Sequence, residues 1–178
     1  MSDNTGYDIR SILTEMRQEY WQGLSEKTEV QEELIECITF TLGGEEFAFE
    51  TGYAAEVIRV PKLVKLPGNS TLIIGVFNLR GEIIAAMDIR PMLCLPEPAL
   101  TRSARIIVVK GKNFTTGILT EAVLGVQALP LGQFEPVVKS VDPSAREFLR
   151  GQIQRGNGMT MLLDIAKLLD SPALVVSN

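Results

Sequence analysis

Arg80 is the residue whose type and position most clearly suggest a chemical role in this sequence. It lies in "GVFNLRGEIIAAMDIR" (75–90), where apolar segments on either side of "RG" predict two strands joined by a tight turn. A guanidinium beside a turn can rest its stem on apolar surface and offer a rigid fork of N–H donors to a carboxylate. Arginine is also enriched among residues that carry interface energy. The stretch predicts an internal ion pair, with an acid such as Glu56 or Asp88, or a partner contact, and neither excludes the other.

Catalytic chemistry has few candidates in this chain. The sequence contains no histidine, which removes the commonest general base and the commonest metal ligand. It also lacks a phosphate-binding loop and a dinucleotide fingerprint, so we expect no cofactor and no metal. The adjacent acids Glu45 and Glu46 would point to opposite faces of a strand. A carboxylate-based hydrolase is kept as a remote alternative, which predicts two close acids and turnover lost on changing Glu46 or Glu56.

The charge distribution separates the N-terminal region from the rest of the chain. The net charge is -5, and residues 1–36 hold nine acids against three bases, so the remaining residues are close to neutral. This balance argues against nucleic-acid binding. A basic cluster surrounds the strand "IIVV", but its only neighbouring aromatic is Phe114, so a solvated strand pair is favoured over a nucleic-acid track. Its members are Arg102, Arg105, Lys110 and Lys112.

The predicted elements change in character along the sequence. Residues 7–24 place apolar side chains at helical spacing and predict one amphipathic helix, followed by an acidic linker. Its apolar stripe would dock on its own domain, meet a partner helix or stay free. From Glu36 onward, short β-branched and apolar runs are separated by glycine, asparagine and proline. Such spacing predicts hairpins in a mostly antiparallel, barrel-like fold.

An internal repeat indicates two similar barrels. Residues 75–93 align without a gap on residues 151–169, matching Gly75 with Gly151 and Asp88 with Asp164. In each copy the aspartate follows a strand and is predicted to cap a short helix. A further helix is predicted in "VDPSAREFLRG", with Asp142 as N-cap and Gly151 just past its end.

The cysteines and the N-terminus favour a reducing, cytoplasmic compartment. Two cysteines are too few for a disulfide framework, and Cys37 lies in an apolar run that predicts a buried thiol. The N-terminus has no basic region followed by an apolar stretch, and no window reaches the length of a membrane span. We therefore expect no direct membrane insertion.

The stretch 75–90 resembles the CheW family of bacterial chemotaxis coupling proteins, whose hallmark is a Gly-Val-x-Asn-Leu-Arg-Gly hairpin followed by a strand ending in Asp-hydrophobic-Arg. The similarity runs in the family's order from residue 36 to about residue 170. It includes "ITFTLGGEEFAFE" (38–50), "AAEVIRVPKLVKLP" (54–67), "GILTEAVLGVQALP" (117–130) and "MTMLLDIAKLL" (159–169). The resemblance implies a mostly β fold of two SH3-like five-stranded β-barrel subdomains with short helices.

The resemblance also implies a domain plan and a function. The plan is an N-terminal helix and acidic linker (1–35), a CheW-like domain (36–171) and a C-terminal tail (172–178). The CheW-like domain would divide near residue 100 into two barrel subdomains, 36–100 and 101–171. The function would be that of a non-catalytic adaptor, monomeric when alone. It would bridge the cytoplasmic hairpin tip of methyl-accepting chemoreceptors and the regulatory domain of a CheA-type histidine kinase. An adaptor of a non-flagellar pathway, such as one governing type IV pili, is the alternative.

Six partner-binding residues are carried over by position: Arg80, Glu56, Gly75, Ala54, Val57 and Thr51. Arg80 and Glu56 match family residues implicated in receptor and kinase coupling. Gly75 matches a glycine needed close to the receptor groove, which the family lines with apolar side chains at the positions of Ala54 and Val57. Thr51 lies near a kinase-contacting edge.

Three departures from the family pattern accompany this resemblance. Ala54 is smaller than the usual branched residue, so the receptor is expected to differ from the common type. Ser70 and Leu72 replace a proline and an aromatic, and Thr120 and Glu121 stand where an aspartate is common.

Overall fold

The computed structural model describes residues 13–21, 31–68 and 71–174. The chain divides into two compact units, residues 1–33 and 34–178. In the first unit, residues 13–21 form helix α1, and every one of these residues is exposed. The predicted N-terminal helix is therefore confirmed within 13–21, and the rest of its predicted span lies outside the described residues.

The second unit is built from strands, as the spacing of the apolar runs predicted. In chain order the described strands are β1 (Leu34–Leu42), β2 (Glu45–Glu50), β3 (Ala54–Arg59), β4 (Ile73–Leu79), β5 (Glu82–Met87), β6 (Arg105–Lys110), β7 (Thr115–Thr120), β8 (Ala122–Pro130), β9 (Leu149–Arg155) and β10 (Gly158–Leu163). Two short helices, α2 (Pro143–Arg146) and α3 (Ile165–Leu169), complete the regular structure together with single 3₁₀ turns.

The strands form two five-stranded sheets with the same internal pattern. Sheet A has the order β8-β1-β2-β10-β9, and sheet B has the order β3-β6-β7-β5-β4. In sheet A the hairpin β1–β2 pairs antiparallel with β8 and parallel with β10. In sheet B the hairpin β6–β7 pairs antiparallel with β3 and parallel with β5. The mostly β fold of two five-stranded units is confirmed.

The predicted division near residue 100 does not match these sheets. Sheet A combines β1 and β2 with β8, β9 and β10, so each sheet takes its hairpin from one repeat and its other three strands from the other. The connections explain this exchange: three residues join β2 to β3, and Glu121 alone joins β7 to β8. Neither connection is long enough to return along β2 or β7, so β3 cannot take the place beside β1, and β8 cannot take the place beside β6. The outer domain boundaries stay a prediction.

The largest apolar cluster draws side chains from both sheets. It includes Phe40 and Phe49 from sheet A and Ile107 and Ile118 from sheet B. Along β6, Ile107 and Val109 belong to this shared cluster, whereas Ile106 and Val108 belong to a cluster formed within sheet B. Because β6 is buried on both faces, it reads as a continuous apolar run rather than an alternating one.

Gly75 and Gly151, which the repeat aligned, occupy equivalent positions in β4 and β9. A Cβ atom on Gly75 would lie 2.9 Å from the carbonyl oxygen of Val64, and one on Gly151 would lie 2.9 Å from that of Glu135. In both places the preceding segment crosses the strand through a pair of backbone hydrogen bonds, Val64 to Val76 and Glu135 to Gln152. The glycines are therefore needed because a backbone carbonyl approaches the strand too closely for any side chain.

Replacing either glycine by alanine is expected to lower the free energy of unfolding by about 1–3 kcal/mol, because the new methyl group must displace backbone. Gly75→Ala should cost more, since its φ of 156° is also unfavourable for an L side chain. Urea unfolding of each variant measures the effect. Gly132→Ala is the matched control, because a Cβ at Gly132 meets nothing within 4 Å. Equal stability of all three variants would contradict the packing argument.

The predicted helix caps are confirmed in two places out of three. Asp142 accepts a hydrogen bond from the Ser144 amide (2.9 Å) and begins α2, and Asp164 accepts one from the Lys167 amide (3.0 Å) and begins α3. Asp88 accepts the Arg90 backbone amide (3.0 Å) and the Arg90 guanidinium, but the 3₁₀ turn Pro91–Leu93 has no side-chain cap. The prediction that this helix ends just before Gly151 was wrong, because α2 ends at Arg146 and Gly151 lies in β9.

Cys37 lies in β1 and is buried in an apolar cluster formed by residues of sheet A, as its apolar surroundings predicted. Burial, with a smaller contribution from Glu50, raises the pKa of the Cys37 thiol to about 11. Cys94 is exposed, and both cysteines are free thiols.

A thiol reagent is expected to label Cys94 in the native protein and Cys37 only after unfolding, since the reactive species is the thiolate. The raised pKa also means that the native state keeps a proton that the unfolded state loses. Stability should therefore fall as the pH rises from the usual thiol range towards 11. Labelling of Cys94→Ser isolates Cys37, and rapid native labelling of that variant would refute its burial.

Candidate functional site

The turn between β4 and β5 holds Arg80 in an exposed and conformationally unusual position. Leu79 pairs with Glu82, so Arg80 and Gly81 form a two-residue loop. Their φ angles are 53° and 92°, which match the type I′ turn favoured in hairpins. The Gly81 amide also donates to Oδ1 of Asn78 at 3.0 Å. A positive φ is costly for arginine, so the hairpin holds the guanidinium in place at an energetic cost of the kind that functional sites often carry.

Arg80 forms an ion pair with Glu56 of β3. Nη2 of Arg80 donates to Oε2 of Glu56 at 3.0 Å. Glu56 lies on β3, the first strand in the order of sheet B, and Arg80 lies in the turn after β4, the last strand. The ion pair therefore links the two edge strands of the sheet. The first alternative for Arg80, an internal ion pair, is therefore confirmed with Glu56, and Asp88 is engaged elsewhere.

The solvent exposure of the Arg80–Glu56 pair determines how much the pair contributes to folding stability and to binding. The Arg80 side chain is 79% exposed and that of Glu56 is 26% exposed. A pair with one solvated member contributes about 0–1 kcal/mol to folding. The turn and the ion pair orient the Arg80 guanidinium without burying it. Most of its N–H donors can therefore bind a second carboxylate, one that belongs to a partner.

The remaining carried-over residues do not form a single surface with this pair. Gly75 is buried in β4, under the carbonyl oxygen of Val64. Ala54 packs against the shared apolar cluster. Val57 is 41% exposed and alternates with Glu56 along β3, so the two side chains leave the strand on opposite sides. The hydroxyl of Thr51 donates to the Glu36 carboxylate at 3.0 Å, a contact within the chain. The partner-binding roles of these residues stay predictions.

A buried charge cluster around Arg90 was missed by the sequence reasoning. Nε and Nη2 of Arg90 donate to the Asp88 carboxylate at 2.9 and 2.7 Å, and Nη1 lies 3.3 Å from Oε1 of Glu121. Glu121 in turn accepts the amides of Gly43 (2.7 Å) and Gly44 (3.2 Å) in the β1–β2 turn. Hydrogen bonding to Asp88 raises the pKa of Arg90. The cluster ties the end of β5 in sheet B to a turn of sheet A.

Two signals in the sequence pointed towards this cluster. One is the Asp88-Ile89-Arg90 motif, whose charged residues are two apart and share a side of an extended chain. The other is Glu121, which had been noted only as a departure from the family pattern. Neither signal identifies the pairing, because Arg90 and Glu121 are 31 residues apart in the chain.

The carboxylates suggested for a hydrolase bind different partners in different sheets and do not form a pair. Glu46, in β2 of sheet A, accepts a hydrogen bond from the Thr160 hydroxyl at 2.6 Å, and Glu56, in sheet B, binds Arg80. Glu45 is exposed at the start of β2. Within the described ranges, no three potential metal ligands cluster and no helix has the length and apolarity needed to cross a bilayer.

Comparison with known proteins identifies what this architecture is similar to. A family model described as the CheW-like domain matches residues 36–173. Protein PilI of Pseudomonas aeruginosa is 29% identical over 118 residues, which span 66% of each chain. Chemotaxis protein CheW of Klebsiella aerogenes is 28% identical over 141 residues, 79% of this chain and 85% of the relative. The crystal structure of scaffolding protein TtCheW from Thermoanaerobacter tengcongensis superposes with a TM-score of 0.70 at 22% identity, covering 82% of this chain and 94% of that one.

Proposed function

The chain belongs to the CheW-like domain family and is a scaffold of chemotaxis signalling, and from this premise we propose that it couples a chemoreceptor to a CheA-type kinase through the Arg80 hairpin. The receptor would contribute the cytoplasmic tip of its helical hairpin, and the kinase its regulatory domain. Coupling of this kind needs no bond-making chemistry. It needs two binding surfaces on one rigid body.

The exposed, pre-oriented guanidinium of Arg80 is the observation that carries this proposal. Glu56 fixes the side chain from one side while the strained turn fixes the backbone, so little conformational freedom remains to be lost on binding. The nearby exposed side chain of Ile83, on β5, adds apolar surface close to this charge. An arginine beside apolar surface is the composition typical of residues that dominate interface energy.

Calorimetric titration of the purified chain with a CheA regulatory domain and with a receptor hairpin fragment tests the proposal. We expect both to bind, with the moderate affinity of exchangeable signalling contacts that bury on the order of 1,200 Å² or less. A ternary titration then tests bridging, since the receptor fragment should still bind when the kinase domain is saturated. Failure of both partners to bind would contradict the adaptor function.

A second candidate is the adaptor of a non-flagellar pathway. The relative named PilI, which is not a CheW by name, favours it alongside the flagellar assignment. The replacement by Ala54 of a larger groove residue points the same way, because it changes the shape offered to a receptor. Competition between a flagellar kinase domain and a non-flagellar one in the same titration separates the two candidates, since the cognate domain should displace the other.

A further inference from the structure

Three arginines lie together at the end of sheet B where β3 finishes and β6 begins. Arg59 is the last residue of β3, Arg105 is the first of β6, and Arg102 lies in the loop before it. They line an open pocket of about 550 Å³ whose other walls are mostly apolar. The remaining lining residues are Val60, Leu100, Thr101 and Ala104.

The placement of two of these arginines is unfavourable for the protein alone. Arg59 and Arg105 are direct cross-strand partners in the antiparallel pair of β3 and β6, so their side chains leave the sheet on the same side. Like charges directly opposite each other destabilise a strand pair. Arg105 is also held in place, because its Nη1 donates to the carbonyl oxygens of Arg102 (2.9 Å) and Ala104 (2.7 Å).

None of the three arginines forms an ion pair within the part of the chain that the structure describes. The ion pairs found there belong to Arg80, Arg90 and Arg150, each of which faces a carboxylate. The sequence as a whole has more acids than bases. Three arginines that form no ion pair with any described residue therefore share one pocket, and an excess of positive charge in the sequence does not explain this.

We propose that this pocket binds an oxyanion, a phosphate or carboxylate group carried by a segment of a partner protein. Guanidinium groups match both oxyanions through paired N–H donors, and an anion between Arg59 and Arg105 would convert their repulsion into two attractions. The apolar walls would take up the aliphatic part of the side chain that bears the anion. None of the described residues that line the pocket is an aromatic on which bases could stack, which disfavours nucleic acid. This inference does not rest on the proposed adaptor function.

Binding of short peptides to the full chain tests the proposal. The probes are hexaglutamate, a glycine-serine peptide with one phosphoserine, and hexaglutamine as the uncharged control, each followed by calorimetry and by the arginine side-chain N–H signals in NMR spectra. We expect one or both anionic peptides to bind and to shift the Arg105 side-chain signal, while hexaglutamine does not. The tighter of the two anionic peptides identifies the source of the oxyanion.

Three variants make the result specific to the pocket. Arg59→Gln and Arg105→Gln should each weaken peptide binding by about tenfold, the loss expected for a charged hydrogen bond. Lys112→Gln removes an equal charge from the exposed β6–β7 turn and should leave binding unchanged. Without peptide, Arg59→Gln should melt at the same or a higher temperature, because a repulsion is removed. The proposal is overturned if neither anionic peptide binds, if Lys112→Gln weakens binding equally, or if Arg59→Gln alone lowers the melting temperature.

Discussion

Arg80→Glu is expected to weaken binding to the kinase domain or the receptor fragment by about 2–5 kcal/mol, roughly thirtyfold to several thousandfold. The change places a negative charge where a partner's carboxylate would be received, and it also repels Glu56. Calorimetric titration with each partner measures the loss. The free energy of unfolding should change by less than about 1 kcal/mol, because the Arg80 side chain is 79% exposed.

The ion pair itself can be separated from the binding role by exchanging its charges. In the double variant Arg80→Glu, Glu56→Arg the pair is restored with reversed polarity, so stability should return to that of the parent chain. Binding should stay weak, because the exposed member of the pair is now an acid. Full affinity of Arg80→Glu for both partners would exclude Arg80 from either interface. Recovery of binding in the double variant would show that only the internal ion pair matters.

Arg90→Met is expected to lower the free energy of unfolding by about 3–5 kcal/mol, the cost of leaving a buried charge without its partner. The Arg90 and Asp88 side chains are 6% and 7% exposed, so the Asp88 carboxylate could not regain its hydration. Glu121 would also lose one of its partners beside the Gly43–Gly44 turn. Urea unfolding followed by circular dichroism measures this change.

The half-exposed ion pair of Arg150 with Glu50 supplies a matched control. Arg150→Met makes the same chemical change where the side chains are 39% and 38% exposed, and it should cost less than about 1 kcal/mol. The double variant Asp88→Asn, Arg90→Met should recover part of the loss, because no uncompensated charge remains at position 88. Equal costs for Arg90→Met and Arg150→Met would refute the special importance of the buried cluster.

Local chemistry in the sequence was sufficient to predict the elements and the position of Arg80. Apolar runs punctuated by glycine predicted the hairpins, and the "RG" pair predicted the turn that displays the guanidinium. The repeat predicted that Gly75 and Gly151 are equivalent, and both indeed lie under a backbone carbonyl. These features depend on neighbours in the chain or on a periodicity that is written along it.

Other features of the site depended on contacts that no local pattern contains. The prediction that α2 ends just before Gly151 failed because the strand pairing of β9 with β10 prevails over the helical tendency of "SAREFL". Val57 and Glu56 are neighbours in the chain, and strand alternation sends their side chains to opposite sides of β3. The cluster of Arg90, Asp88 and Glu121 appears only when the two sheets meet.

The sequence by itself determined that there are two copies of one β unit, with an arginine displayed at a hairpin tip. Only the tertiary structure decided which hairpin completes which sheet. If β3 lay beside β1, in the place that β8 holds in sheet A, it would run parallel to β2, and the chain would have to travel back roughly 20 Å along that strand. Three residues between Glu50 and Ala54 reach at most about 14 Å. The chain therefore continues into the other sheet. The two repeats exchange hairpins because the short connection inside each repeat, β2 to β3 or β7 to β8, cannot bring the next strand back beside β1 or β6.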